Sequence, residues 1–219
     1  MDFTLDEAQQ AVADLAEQIL GDCLDMEHLL AIEDAMEAGG AWFDANLWAS
    51  LATAGLLGIA LGEDVGGGGL DAVALAILLR AQGNHVAPLP LLPHGVASLA
   101  VDRFGSEEQR RRLLPGCADG SLILTVAVQE YLDDQTREPA VRVTEGGLHG
   151  TKIVVEAADL AGHAVVTAVA EDGPGLFLVD LSGDGITRSE GRSTRLEPLW
   201  KLEFGGTPAE PLGSAGATA

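Results

Sequence analysis

The feature that most constrains the fold is a change in the spacing of apolar residues near residue 120. Before it, apolar residues recur at the period of amphipathic helices. After it, they occur in short alternating runs such as 122–130 and 148–155, separated by Gly, Asp and Pro, which is typical of strands. The sequence therefore predicts an α+β protein, with an all-helical bundle over residues 1–119 and a small antiparallel β-barrel or sandwich over residues 120–219.

Capping residues and glycines mark the helix ends in the first half. Thr4 and Glu7 are spaced as a capping box, and so are Ser106 and Gln109. The segment 72–79 is apolar on nearly all sides, so we expect it to form a central helix. The predicted helices cover about 5–20, 24–38, 44–54, 72–83, 94–103 and 106–115, the last stopping at Pro115.

Turn signals that contain Gly or Asp separate the strand-like runs of the second half. Examples are Glu145–Gly147 and Ser182–Gly185. Strands of this length and spacing are typical of a small antiparallel β structure. The predicted strands cover 121–129, 140–144, 147–155, 163–170, 175–181, 185–189 and 195–204.

The charge of the chain excludes several classes of partner. There are 34 acidic against 12 basic residues, which gives a net charge of −22. Binding to nucleic acid or to an anionic membrane depends on Lys and Arg, so we expect neither. The start Met1–Glu7 is acidic, unlike a signal peptide, and no apolar run is long enough for a membrane helix. Because Cys23 and Cys117 form no CxxC pair, we expect a reduced, cytoplasmic protein.

No residue pattern nominates a metal site or a nucleophile. The five histidines lack HxxxH and HExxH spacing, and the sequence has no GxSxG motif. The run Gly66–Gly69 lacks both the Walker lysine and the GxGxxG spacing. We therefore predict no metal and interpret the glycine run as a tight loop.

Several short segments occur in an order that is more specific than any one of them. They are Gly55–Ala60 with Glu63–Leu70, Phe104–Pro115, Ala127–Glu130, Leu148–Lys152, Ala158–Asp159 and Pro211–Gly213. In that order they are similar to the segments GLLG…PEEYGGLGL, GSEEQK…LP, ALTEP, LNGTK, AD and LLG of the acyl-CoA dehydrogenase family. The chain therefore resembles the first two domains of an acyl-CoA dehydrogenase.

This resemblance implies an oxidoreductase that binds FAD and oxidises an acyl-CoA thioester, from fatty acids or steroid side chains, to the 2,3-enoyl-CoA. In the family, a carboxylate removes the α proton while hydride leaves the β carbon for the flavin, which carries the redox chemistry. In most members that base lies on a third, helical domain beyond the region that this sequence matches, so we nominate no catalytic residue. The expected partners are an acyl-CoA substrate, acyl-CoA dehydrogenase subunits in a homo- or hetero-oligomer, and an electron-transfer flavoprotein.

The resemblance also implies which residues face the flavin. In the family, the end of the ALTEP strand and the residues just after GTK lie against the isoalloxazine ring. The predicted cofactor-binding residues of this chain are accordingly Val126, Val128, Gln129, Glu130, Gln135, Val154 and Glu156.

The chain departs from the family pattern at these contacts. Gln129 and Tyr131 replace the Thr and Pro of TEP, and Val154 and Glu156 stand where an aromatic residue and Thr are usual. The segment 132–136 brings two carboxylates to where a pyrophosphate would approach, which is electrostatically unfavourable. Two functions stay open: an FAD-dependent acyl-CoA dehydrogenase within an oligomer, or a flavin-free partner subunit or truncated remnant of a heteromeric one.

Four basic residues gather near the end of this otherwise acidic chain. They are Arg188, Arg192, Arg195 and Lys201. They could contact CoA phosphates, or they could belong to a solvated face or a subunit contact.

Overall fold

The computed structural model describes residues 4–131, 138–194 and 197–213. Over these residues the first half is helical and the second half is a sheet, which confirms the predicted α+β class. The helices are α1 (Glu7–Cys23), α2 (Met26–Glu37), α3 (Ala45–Thr53), α4 (Ala72–His85), α5 (Leu91–Phe104) and α6 (Glu107–Ala118), with a 3₁₀ turn at Glu63–Val65. The strands are β1 (Leu124–Ala127), β2 (Arg142–Thr144), β3 (Gly147–Glu156), β4 (His163–Ala170), β5 (Gly173–Asp180), β6 (Ile186–Arg192), β7 (Pro198–Thr207) and β8 (Glu210–Leu212).

The first helix begins two residues later than the Thr4 capping box predicts. Asp6 is the N-cap: its carboxylate accepts a hydrogen bond from the backbone N–H of Gln9 at 2.8 Å. The Gln9 side chain accepts one in return from the backbone N–H of Asp6 at 3.2 Å. An aspartate caps a helix at least as well as a threonine, so the overlapping Asp6–Gln9 pair forms the capping box instead.

The last helix starts as predicted but continues beyond Pro115. The Ser106 hydroxyl accepts a hydrogen bond from the backbone N–H of Gln109, which confirms the second capping box. The prediction that Pro115 ends α6 is wrong, because the helix runs to Ala118. Proline removes one helical hydrogen bond, and the burial of Cys117 and Ala118 against the strands compensates for it.

The apolar helix α4 is central to the helical half only. Its buried residues pack with those of α1 and α3 in one cluster. The strands instead contact α5, which lies along β1, and α6. The expectation that 72–79 is the central element therefore needs correction, since α5 contributes buried residues both to the helical core and to the core shared with the strands.

The second half forms one eight-stranded, mostly antiparallel sheet among the described residues. Its strand order is β6-β7-β3-β2-β4-β5-β8, and β1 pairs with β4. The pairings β1–β4 and β2–β4 are parallel, and all the others are antiparallel. Among the described helices, none combines the length and the apolar character that crossing a bilayer requires.

An apolar core joins the two halves. The change from helix to strand lies between Ala118 and Leu124. The division into domains at residue 119 nevertheless stays a prediction, because buried residues from α5, α6 and four strands form a single cluster. That cluster includes Ala97, Val101, Leu113, Leu114, Cys117, Leu124, Val165, Leu178 and Leu212.

A buried histidine ties this junction together. His94 of α5 is 1% exposed, and its Nε2 lies 3.2 Å from the carbonyl oxygen of Cys117. Its Nδ1 accepts a hydrogen bond from the backbone N–H of Leu124 at 3.4 Å, so Nε2 carries the proton. Burial lowers the pKa of His94 to about 4, and the hydrogen bond to the Cys117 carbonyl only partly opposes that shift. The imidazole is therefore neutral at pH 7.

A second link between the halves is more exposed. Asp159, in the loop after β3, accepts a hydrogen bond from Trp42 Nε1 at 3.1 Å and another from Trp200 Nε1 at 3.2 Å. Trp42 precedes α3 and Trp200 lies in β7. One carboxylate thus connects an indole of the helical half to an indole of the sheet.

Candidate active-site cleft

A cavity of about 320 Å³ lies where the first turn of α5 faces the end of β1 and the end of β3. Three segments that are far apart in sequence meet there because α5 packs along β1, and β1 contacts β3. The residues that line the cavity are Leu92, Pro93, Val96, Val126, Val128, Gln129, Val154 and Glu156.

Five of the seven predicted cofactor-binding residues line this one cavity. They are Val126, Val128, Gln129, Val154 and Glu156. Gln135 lies outside the described residues. The resemblance thus selected two segments, after β1 and at the end of β3, that the fold brings face to face.

Glu130, the remaining predicted residue, faces the protein interior. Its Oε1 lies 2.6 Å from Nζ of Lys152 and accepts a hydrogen bond from the backbone N–H of Val141. Its Oε2 accepts one from the backbone N–H of Ala140 at 2.5 Å. Burial acts to raise the pKa of Glu130, but these hydrogen bonds outweigh it and hold that pKa below the ordinary value. The carboxylate is therefore ionised, and it serves as a hydrogen-bond acceptor within the wall of the cleft.

Val154 projects into the cleft from a distorted part of β3. The pairing of β3 with β7 shifts register between Lys152 and Val155, and Val154 has a φ of 54°. A β-branched residue in this left-handed region is an outlier that costs roughly 1–2 kcal/mol. Such backbone strain persists where the surroundings hold it in place and is concentrated at functional sites. Its neighbours Lys152 and Val155 are both fully buried.

A second, larger cavity adjoins the first. It measures about 480 Å³ and shares Leu92, Pro93 and Glu156 with the smaller one. Gln82 shapes its wall by donating hydrogen bonds to the carbonyl oxygens of Ala87 and Leu89, at 3.1 and 2.6 Å. The other lining residues are mostly apolar and include Met36, Trp42, Leu79, Val86 and Pro88, with Glu197.

Sequence reasoning missed the helical side of the cleft. Leu92 and Val96 of α5 are 49% and 43% exposed, and Val154 opposite them is 45% exposed. Three large apolar side chains exposed around one opening indicate a surface that other molecules cover. In the sequence, Val96 looks like an ordinary core residue of the helix predicted over 94–103, and Leu92 lies among the prolines 88, 90 and 93 that precede that predicted helix. The helix α5 instead begins at Leu91.

The described basic residues near the chain end, Arg188, Arg192 and Lys201, do not line the two cavities. Arg188 donates to the carbonyl oxygens of Ala158 and Leu181, and Lys201 lies 3.0 Å from the carboxylate of Glu203. Among the described residues that line the two cavities, none is Lys or Arg. Arg195 lies outside the described residues.

Comparison with known proteins identifies the family. A family profile, "Acyl-CoA dehydrogenase, N-terminal domain", matches residues 6–121, which is more than half of the chain. The chain belongs to the acyl-CoA dehydrogenase family. The expected family is thereby confirmed, and solved structures with this fold include one complexed with FAD and one in complex with FADH2.

The similar proteins include components of two-protein assemblies. The chain is 30% identical to "Acyl-CoA dehydrogenase FadE27" of Mycobacterium tuberculosis, over 100% of the chain and 58% of that protein. It matches "Tcur3481-Tcur3483 steroid ACAD G363A variant" with a TM-score of 0.88 and 42% identity, covering 97% of this chain and 58% of that one. It matches the ChsE4-ChsE5 complex of M. tuberculosis with a TM-score of 0.88 and 28% identity, covering 98% and 59%. The acyl-CoA dehydrogenase chain described here thus spans somewhat more than half the length of these relatives.

Proposed function

We propose that this chain is one subunit of a heteromeric, FAD-dependent acyl-CoA dehydrogenase, in which it forms the apolar wall of a cleft that other polypeptide completes. The observation that carries the proposal is the cavity between α5, β1 and β3, whose exposed apolar rim lies where the resemblance implies the flavin ring. The relatives named for two-protein complexes support a heteromeric assembly.

The residues of the wall fit one part of FAD and not the other. Val126, Val128 and Val154 offer apolar contacts to a flat ring. A pyrophosphate needs cationic side chains or clustered backbone N–H groups, and the described lining of both cavities contains no Lys or Arg. We therefore assign the ring contact to this chain, and no phosphate contact to the described lining of these two cavities.

In this assembly the flavin, when bound, would accept the hydride from the β carbon of the acyl-CoA. The wall would exclude water from the reacting carbons and orient the ring, both of which favour the reaction. The base that removes the α proton would come from the other polypeptide, and an electron-transfer flavoprotein would reoxidise the cofactor. The adjoining cavity of about 480 Å³ offers room for the acyl group, and the "steroid ACAD" name of one relative favours a bulky one.

A second candidate is a partner subunit that never contacts flavin. Val154 and Glu156 favour it, because they occupy positions where the family resemblance implies an aromatic residue and Thr. A carboxylate beside the ring would also oppose the negative charge of a reduced flavin.

Flavin absorbance separates these candidates. The chain would be purified alone, and after co-expression with each homologous subunit of its genome, then mixed with FAD at micromolar concentration. The main proposal expects a colourless chain alone and a yellow complex that oxidises an acyl-CoA. A yellow complex that stays yellow after the cleft wall is altered would instead favour the flavin-free candidate.

A matched pair of variants tests the wall itself. Val96→Asp places a charge on the apolar rim, whereas Val73→Asp alters a valine of similar exposure on α4, away from both cavities. We expect Val96→Asp to release flavin from the complex and Val73→Asp to retain it. Equal flavin content in both variants would contradict the assignment of this wall.

A further inference from the structure

The cleft wall includes a stretch of chain beyond the ladder that joins β1 to β4. Strand β1 ends at Ala127, and its ladder with β4 ends there too, yet Val128 and Gln129 line the cavity. Backbone pairing beyond this point is sparse: Glu130 forms an isolated bridge, and the carbonyl oxygen of Gln129 accepts from Ile153. Side-chain contacts can therefore add substantially to what holds residues 128–130 against β3.

Lys152 provides that connection from the interior. Its side chain is fully buried and its Nζ lies 2.6 Å from Glu130 Oε1, 2.8 Å from Thr167 Oγ1 and 3.4 Å from the carbonyl oxygen of Val128. These three acceptors belong to the segment that follows β1 and to β4. A buried ammonium is costly unless such acceptors surround it, so each contact restrains the geometry.

Glu130 extends the connection to β2. Its two oxygens accept from Lys152 and from the backbone N–H groups of Ala140 and Val141, which precede β2. One ion pair thus joins β3, β4, the approach to β2 and the segment after β1. Charge-assisted hydrogen bonds of this kind are shorter and stronger than neutral ones.

The Lys152–Glu130 pair also lies close to Val154, the residue with the strained backbone on the β3 side of the cleft. Lys152 lies two residues before Val154, at the register shift in β3. Between them, the backbone N–H of Ile153 donates to the carbonyl oxygen of Gln129 at 3.0 Å. That bond directly joins the two segments that carry the predicted cofactor contacts.

We infer that the buried Lys152–Glu130 ion pair is the positioning element of the cleft wall, holding Gln129 and Val154 at a fixed separation. Neither side chain lines the described cavities, so both are positioning residues rather than catalytic ones. The consequence for acyl-CoA oxidation rests on the proposed function, whereas the positioning of the wall does not.

Hydrogen exchange of the Ile153 amide tests the inference in the full chain, because that amide bonds to neither altered side chain. The variant Glu130→Gln/Lys152→Met removes both charges together and so avoids leaving one of them buried alone. Lys201→Met breaks an exposed Lys–Glu pair on the adjacent strand β7 and is the matched control. The amides of Leu181 and Gly205, bonded elsewhere in the β half, serve as references.

A positioning role predicts that Ile153 exchanges at least ~10-fold faster in the double variant, relative to the reference amides, through local opening. Lys201→Met should leave that ratio unchanged. Equal acceleration of all three amides would show that the pair only stabilises the fold and would overturn the inference, as would unchanged exchange at Ile153. Flavin retention by the co-purified complex is measured separately. If the complex does not assemble, the exchange of the Ile153 amide in the chain alone still decides the inference.

Discussion

Two buried sites of the described chain hold titratable side chains in different charge states: His94 is neutral, whereas Lys152 and Glu130 are ionised. At the junction of helices and sheet, His94 meets only neutral backbone groups and an indole ring 5.1 Å away. In the cleft wall, Lys152 and Glu130 are buried with each other. A buried group without a counter-charge loses its own charge, whereas an opposite charge within hydrogen-bond distance preserves both.

The two regions therefore differ in their sensitivity to acid. The junction depends on a neutral His94, so protonation of that residue at low pH destabilises it. The wall tolerates acid better, since the pKa of Glu130 lies below its ordinary value, but it cannot lose one partner alone. The expected losses of stability decrease from the cleft wall to the junction and then to the exposed link through Asp159.

Removing one charge of the wall should have the largest effect. We expect Lys152→Met to lower the free energy of unfolding by about 3–5 kcal/mol, because it leaves the Glu130 carboxylate buried without its partner. The double variant Glu130→Gln/Lys152→Met should cost clearly less. Lys201→Met, at an exposed pair, should cost about 0–1 kcal/mol. Denaturant titration measures all three, and a Lys152→Met cost as small as that of Lys201→Met would remove the contrast between the two regions.

Acid should weaken the junction next. Because the folded pKa of His94 is about 4 and the ordinary value is 6.5, the unfolded chain binds the proton first as pH falls. The stability is therefore fully present above pH 6.5 and declines as the pH drops toward 4, by about 2 kcal/mol between pH 6.5 and pH 5.

The variant His94→Gln isolates that contribution. Glutamine can still donate and accept hydrogen bonds but does not titrate. We expect its free energy of unfolding to be lower at pH 7 and flatter between pH 7 and pH 5, as measured by denaturant titration at each pH. A slope equal to that of the unaltered chain would assign the acid sensitivity to other groups, such as His163, whose pKa burial also lowers.

The exposed link between the halves should matter least. Asp159→Asn leaves one acceptor oxygen for the two indole donors of Trp42 and Trp200, so we expect a loss of about 1 kcal/mol or less. Freed indoles should also shift tryptophan emission to longer wavelength. Asp172→Asn, at an exposed turn, is the control and should change neither quantity. An emission spectrum unchanged by Asp159→Asn would mean that the carboxylate does not restrain the two rings.

The sequence predicted regular elements well where the local pattern was strong. Strand β4 runs over the residues expected, His163–Ala170, because its apolar run is bounded by turn residues. Prediction from the sequence failed where tertiary packing decides between competing local signals. Asp6 rather than Thr4 caps α1, and α6 continues through Pro115 because Cys117 lies in the shared core.

The candidate cleft was predictable in part. Its β side follows from two family-like segments about 25 residues apart, which contribute Gln129 and Val154. Its helical side was not, since nothing in the pattern around Leu92 says that this face of α5 remains exposed. The partnership of Lys152 with Glu130 also escaped prediction, because no local pattern pairs a Lys with a Glu 22 positions away.

The type and order of the helices and strands follow from the sequence, because helix and strand periods and capping residues act over a few neighbouring positions. The burial of polar groups, and their charge state, follow from the three-dimensional packing. That outcome depends on contacts between distant segments, such as α5 on β1 and Lys152 on Glu130. The cost of burying a charge is set by the groups that the fold places around it.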